Sequence, residues 1–201
     1  MSTESVNRAV RLIAEQSIDK ASQSLSKMLK AGAAIELKRI DMVDIADITA
    51  DITRENQEVT GSFVDLLGDA PFKFLFYVGV PGAFMLTDLL LNKEAGTTLN
   101  YDEYVTGTMQ EIGNILASAV ANTFANDFQI SFKPTPPVVF KDYAAVLFEE
   151  LIFQAAGDEN KILLIESGLV VKKINLPCRI FVIPMPGSYK VLEFSGGGCP
   201  R

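Results

Sequence analysis

Apolar residues recur at helical spacing from residue 5 to residue 29. At about 100° per residue, Val6, Val10, Ile13, Ala14, Ala21, Leu25 and Met28 gather on one side, with Arg8, Leu12, Glu15 and Asp19 opposite. A second long helix is predicted from 101 to about 124, where Val105, Met109, Ile112, Leu116 and Val120 define one buried stripe. Between these helices, 34–38 and 40–43 read as extended, and 62–67 and 72–78 as strands. Pro81-Gly82 then turns the chain into a short helix over 83–91. After the second long helix the pattern predicts a strand over 128–132, the Pro-rich passage KPTPPVVF, and a helical segment over 143–155. Strands at 161–170 and 178–183 follow, then a closing helix or turn from Ser188.

The plan seen before residue 100 starts again after it. PFKFLFYVGVPGAFMLTDLLL in the first half answers PCRIFVIPMPGSYKVLEF in the second, with Pro71 matching Pro177 and Pro81-Gly82 matching Pro186-Gly187. A period near 100 residues is too long for a solenoid. We therefore expect one domain spanning 1–201, made of two pseudo-symmetric halves of about 5–95 and 101–195 that share a core. The expected class is α+β, with two long helices packed on one side of a mixed, mainly antiparallel sheet. Strands 72–78 and 178–183 should be almost fully buried, because each is an apolar run with a single charged residue.

Composition narrows the function. The 201 residues are 48% hydrophobic, which excludes a disordered chain. With 25 acidic against 18 basic side chains and a net charge of −7, the chain lacks the basic surplus from which nucleic-acid binding starts. There is no histidine, so Ser-His-Asp and Cys-His nucleophiles and imidazole-ligated metals are excluded. Cys178 and Cys199 are too few for a thiolate zinc site. The charge-free run over 74–86 is interrupted by Pro81-Gly82 and falls short of the ~20 residues of a membrane span. No signal sequence is visible, and the expected location is the cytoplasm. Asp41, Asp44, Asp47 and Asp51 recur at three- and four-residue spacing. Such carboxylates suit a divalent cation, but the glycine turn of an EF-hand is missing, and we read them as a solvated acidic face.

The second long helix holds the candidate chemistry. With its buried stripe centred near about 80° on the helical wheel, Glu111 falls near about 300° and Asn114 near about 240°, so both point outward. Their i, i+3 spacing stacks them on one face. Gly107, Gln110, Ser118 and Ala121 around them are short or polar, which lets a partner surface approach. An ordinary solvated face is the competing reading.

The stretch EIGNI followed by a proline resembles the signature of the CheC/CheX/FliY family of response-regulator phosphatases. That signature runs Asp or Ser, three residues, Glu, two residues, Asn, about twenty-one residues, Pro. Glu111, Asn114 and Pro136 match it, while Gly107 stands where Asp or Ser is expected. LSKML at 25–29, PPVV at 136–139 and ILLIESGLVV at 162–171 also fall where family members have similar runs. In the two-repeat CheC type each long helix carries a site. If the Leu-Ser pair at 25 and 26 fixes the register, Leu12 stands at the glutamate position and Glu15 at the asparagine position. The first site is then degenerate. The resemblance implies hydrolysis of the phospho-aspartate of a CheY-like receiver domain. Asn114 would orient water and Glu111 would pair with the receiver's lysine. The protein would need no metal or cofactor of its own, since Mg²⁺ is carried by the receiver. The resemblance also admits a binding module for a receiver or a CheD-like deamidase. An unrelated structural or small-molecule-binding duplication is the third class.

Overall fold

The computed structural model describes residues 3–55, 57–156, 161–171, 174–185, 187–188 and 191. Helix α1 covers Thr3–Leu29, and strand β1 covers Ala33–Asp44 with a register shift between Leu37 and Arg39. The two extended stretches predicted there are thus one strand. Helix α2 (Ile45–Glu55), strands β2 (Glu58–Gly68) and β3 (Phe72–Gly79), and helix α3 (Val80–Leu90) complete the first run. Next come α4 (Glu103–Phe128), β4 (Phe132–Pro134), β5 (Val138–Tyr143), α5 (Ala144–Ala156), β6 (Lys161–Val171) and β7 (Ile174–Pro184).

The fold is α+β, and its strands form one sheet in the order β1-β6-β7-β3-β2-β4, with β5 also on β2. Every pairing among the described strands is antiparallel. The strand order interleaves the chain: β1 lies on β6, β5 lies on β2, and β3 and β7 meet at the centre.

Helices cover both faces, which explains why apolar residues in β3 and β7 do not alternate with polar ones. Phe72, Phe74, Phe76 and Val78 of β3 and Ile180 and Val182 of β7 face the core shared with α1, α3 and α4. Leu75, Tyr77, Phe181 and Ile183 face the opposite core under α2 and α5, where Ile48, Ile52, Leu147 and Phe148 cover them. The two long helices lie together on one side, as expected. The covering of the other side by α2 and α5 was not anticipated from the pattern.

One predicted strand does not form: of 128–132, Phe128 ends α4 and only Phe132 is extended, as the first residue of β4. The chain over 128–132 was expected to be extended, but α4 continues to Phe128, whose ring lies 5.8 Å from that of Phe124 one turn earlier. Burying this aromatic pair against the sheet outweighs the strand preference of Phe. Gln129, at φ 55°, then closes the helix, and the Ile130 amide donates back to the Ala125 carbonyl. Of the closing segment, Ser188 donates its hydroxyl to the Pro71 carbonyl at 2.7 Å, while residues past 191 and Cys199 lie outside the described residues. Cys178 is buried in β7, and burial pushes its thiol up to about 12, so it stays protonated at neutral pH.

Candidate functional site

Helix α4 is fixed at its start by local chemistry. Asp102 is its N-cap, and the carboxylate accepts from the amides of Tyr104 at 3.0 Å and Val105 at 3.1 Å. Just upstream, the buried Thr60 hydroxyl donates to the Phe140 carbonyl and so accepts from the Tyr101 hydroxyl at 2.8 Å. The loop before it is tied down by Asp88, only 1% exposed, which accepts from the amides of Gly96, Thr97 and Thr98 and from the Thr98 hydroxyl. Burial alone would raise this carboxyl. The Thr98 side chain and the three amides outweigh it and hold the group below the usual carboxylate range.

Along the helix Val105, Met109, Ile112, Leu116 and Val120 are buried, as the spacing predicts. Gly113 seats the helix on the sheet. A Cβ there would overlap the Ser62 side chain of β2, so any larger residue forces Ser62 to shift. On the outward side Gly107, Gln110, Glu111 and Asn114 are exposed and Ser118 is half-buried. Ala121 departs from the expectation. It is 2% exposed and belongs to the core, because the helix is flanked by packing over more than one narrow stripe.

Gly107, Gln110, Glu111 and Asn114 line an open cleft of about 460 Å³ whose other wall is Pro134, Thr135, Pro136 and Pro137. The Pro-rich wall is pinned to β2. The Thr135 amide donates to the Asp65 carbonyl at 2.9 Å, and the Asp65 amide donates to the Thr135 hydroxyl at 3.0 Å. Pro136, twenty-two positions after Asn114, therefore borders the same cleft as Glu111 and Asn114. A side-chain amide offers both donors and an acceptor, and a neighbouring carboxylate offers acceptors for a cation. Such a pair can hold water against an electrophile.

A second cleft, of about 410 Å³, opens on the other side of Asn114. It runs between α4 and α1 and is lined by Lys20, Gln23, Ser24 and Lys27 together with Asn114, Ile115, Ser118, Ala119 and Asn122. Sequence reasoning missed the α1 contribution. Its signal was the i, i+3, i+4, i+7 series at Lys20, Gln23, Ser24 and Lys27, a polar flank whose use depends on knowing which helix lies beside it.

In α1, Glu15 is exposed and lines neither cleft, and the side chain of Leu12 is outside the described residues. The four aspartates are split between two elements. Asp41 and Asp44 lie on β1, Asp47 and Asp51 on α2, all exposed, and Asp51 pairs with Arg54 at 3.1 Å. Among the described residues no cluster of Cys, Asp and Glu is arranged to hold a metal ion, and no helix is long and apolar enough to cross a membrane.

Comparison with known proteins bears on the same region. Residues 108–140, which include Glu111, Asn114 and Pro136, match the CheC-like family. Similar folds occur in FliY of Thermotoga maritima (13% identity, TM-score 0.74), where 98% of this chain covers 97% of that one. The FliM middle domain of H. pylori, also solved in a FliG–FliM complex, is similar at 12% identity and TM-score 0.69, over 96% of this chain and 99% of that one. The chemotaxis protein CheX of Desulfovibrio desulfuricans matches at 12% identity and TM-score 0.54, over 86% of this chain and 98% of that one. The family match thus lies on the candidate site, and around it the chain has the fold seen in FliY, the FliM middle domain and CheX.

Proposed function

We propose that this protein hydrolyses the phospho-aspartate of a CheY-like receiver domain in chemotaxis signalling, acting from Glu111 and Asn114 in the cytoplasm. The observation that carries the reading is the exposure of both side chains on one turn of a capped, tightly seated helix, facing a cleft walled by Pro136. The substrate is an acyl phosphate carried beside the receiver's own Mg²⁺ and lysine, which neutralise the phosphoryl oxygens. Water remains to be placed. Asn114 orients it through its amide, and Glu111 pairs with the receiver's lysine and so fixes the helix over the acyl phosphate. The water oxygen bonds to phosphorus as the bond from phosphorus to the aspartyl oxygen breaks. Inorganic phosphate and the free carboxylate leave, and no covalent enzyme intermediate forms.

The chain is further read as two pseudo-symmetric halves, with the first site lost at Leu12 and Glu15. Strand register supports this. The offset of 106 that matches Pro71 to Pro177 carries the pair Phe72 and Pro184 onto Val78 and Cys178, and both pairs occur in one ladder centred on Leu75 and Phe181.

The test is a receiver charged by acetyl phosphate, with and without the protein. Faster loss of phospho-receiver supports hydrolysis, and an unchanged half-life at stoichiometric protein overturns it. A second reading, a binding module for a receiver or a CheD-like protein without turnover, is favoured by Gly107 at the Asp or Ser position. The FliM domain, which shares this fold, is itself found in a complex with FliG. Binding without accelerated hydrolysis would select it.

A further inference from the structure

Resting on that reading, we propose that Lys20 and Lys27 of α1 dock an acidic protein surface beside the phospho-aspartate, so that the site is built from both long helices. Both lysines are exposed and both line the cleft that Asn114 borders. They stand seven residues apart, about 10 Å along the helix axis, on one side of α1. Neither has a hydrogen-bond or ion-pair partner among the described residues, where the other cation–carboxylate contacts involve Arg39, Arg54, Lys73, Lys141 and Arg179. Lys27 in the last turn of α1 also faces the negative end of that helix, but Lys20 lies mid-helix and has no such role. No carboxylate lines this cleft. Gln23, Ser24, Ser118 and Asn122 supply only neutral polar groups around the two cations.

The need for them follows from charge. A chain of net charge −7 repels an acidic partner, and like charge lowers the association rate. A receiver that holds Mg²⁺ offers carboxylates around its metal. Two unpaired ammonium groups next to Asn114 reverse the local sign where that surface must approach. Charges at such a rim act on encounter and on salt dependence more than on the chemical step.

The experiment uses the full chain and the receiver domains encoded in the same genome, each activated with Mg²⁺ and beryllofluoride for binding and with acetyl phosphate for turnover. Lys20→Glu/Lys27→Glu should lower both affinity and kcat/KM about tenfold at low ionic strength, and Lys20→Gln/Lys27→Gln about threefold, with kcat unchanged. The gap should close near 0.5 M salt, where screening shortens to a few ångströms. Unchanged far-ultraviolet dichroism verifies folding. Affinity and kcat/KM equal to the parent's, with Asn114→Ala still inactive, would overturn the docking role and leave the phosphatase reading standing. Lysine-dependent binding without hydrolysis would support the docking role and overturn the phosphatase. A parent that binds none of the receivers overturns both.

Discussion

The two long helices lie side by side on the same face of the sheet, yet they spend their polar side chains differently. Helix α1 turns hydroxyls toward its own strand. Ser22 accepts from the Ile35 amide at 2.8 Å, and Ser26 both accepts from the Ala33 amide at 2.9 Å and donates to the Ala33 carbonyl at 2.8 Å. Helix α4 instead keeps its Thr108 and Thr123 hydroxyls on carbonyls of its own preceding turn and presents Glu111 and Asn114 outward. At the position where α4 has Gly113, the register that aligns Leu12 with Glu111 gives α1 Ala14, which is buried at 3% exposure. One helix is stitched to the scaffold by polar side chains. The other is seated by the absence of one, which leaves its polar groups available for chemistry.

The largest break in this comparison should come from Asn114→Ala. Receiver dephosphorylation should fall about a hundredfold, equivalent to about 2.7 kcal/mol of barrier. The melting temperature should hold, because the residue is exposed. A parent-like rate would remove the distinction between the helices.

Asp88→Ala tests whether α4 owes its position to the loop before it. One hydrogen bond to a charged group contributes about 1.5–3 kcal/mol, so losing all four to this buried carboxylate should cost about 3 kcal/mol or more. Because the native group titrates below its unfolded value, its contribution is complete above about pH 4 and is lost as pH falls through the depressed value. The parent's advantage over the variant should therefore shrink in acid, and chemical denaturation across pH reads it.

Gly113→Ala should destabilise by about 1–2 kcal/mol, as overpacking against Ser62 exceeds the gain in helix propensity. Ser62→Ala should restore most of that loss, since the Ser62 hydroxyl is buried without a hydrogen-bond partner among the described residues. A double-mutant cycle with no coupling would remove the proposed seat.

The smallest effect belongs to α1. Glu15→Ala, made in the Asn114→Ala protein, should remove no further activity. A clear additional loss would make the first half catalytic.

Much of this arrangement was legible in the chain. The 4, 3, 4, 4 spacing on α4 identified its buried stripe, and the apolar runs over 72–78 and 178–183, interrupted only by Lys73 and Arg179, identified two buried strands. What stayed hidden were matters of pairing. That Lys20 and Lys27 would lie beside Asn114 depends on helix–helix packing, which one helix's periodicity cannot encode. The extension of α4 through Phe128 depended on the Phe124 ring and its tertiary surroundings, against local strand preference. The burial of Ala121 had the same origin, since a small residue reads alike on either face.

The interleaved sheet also governs how the protein must be made. Strand β1 ends at Asp44, but its partner β6 begins at Lys161, 117 residues later. At about 5–20 residues per second, a ribosome leaves β1 waiting roughly 6–23 s for that partner. The β2–β3 hairpin forms early, yet the inner edge of β3 stays open until β7 emerges. Along that edge the backbone groups of Phe72 to Val78 that later pair with β7 have no strand partner during that interval. The nascent chain therefore carries an apolar strand edge of the kind that chaperones shield and aggregates recruit.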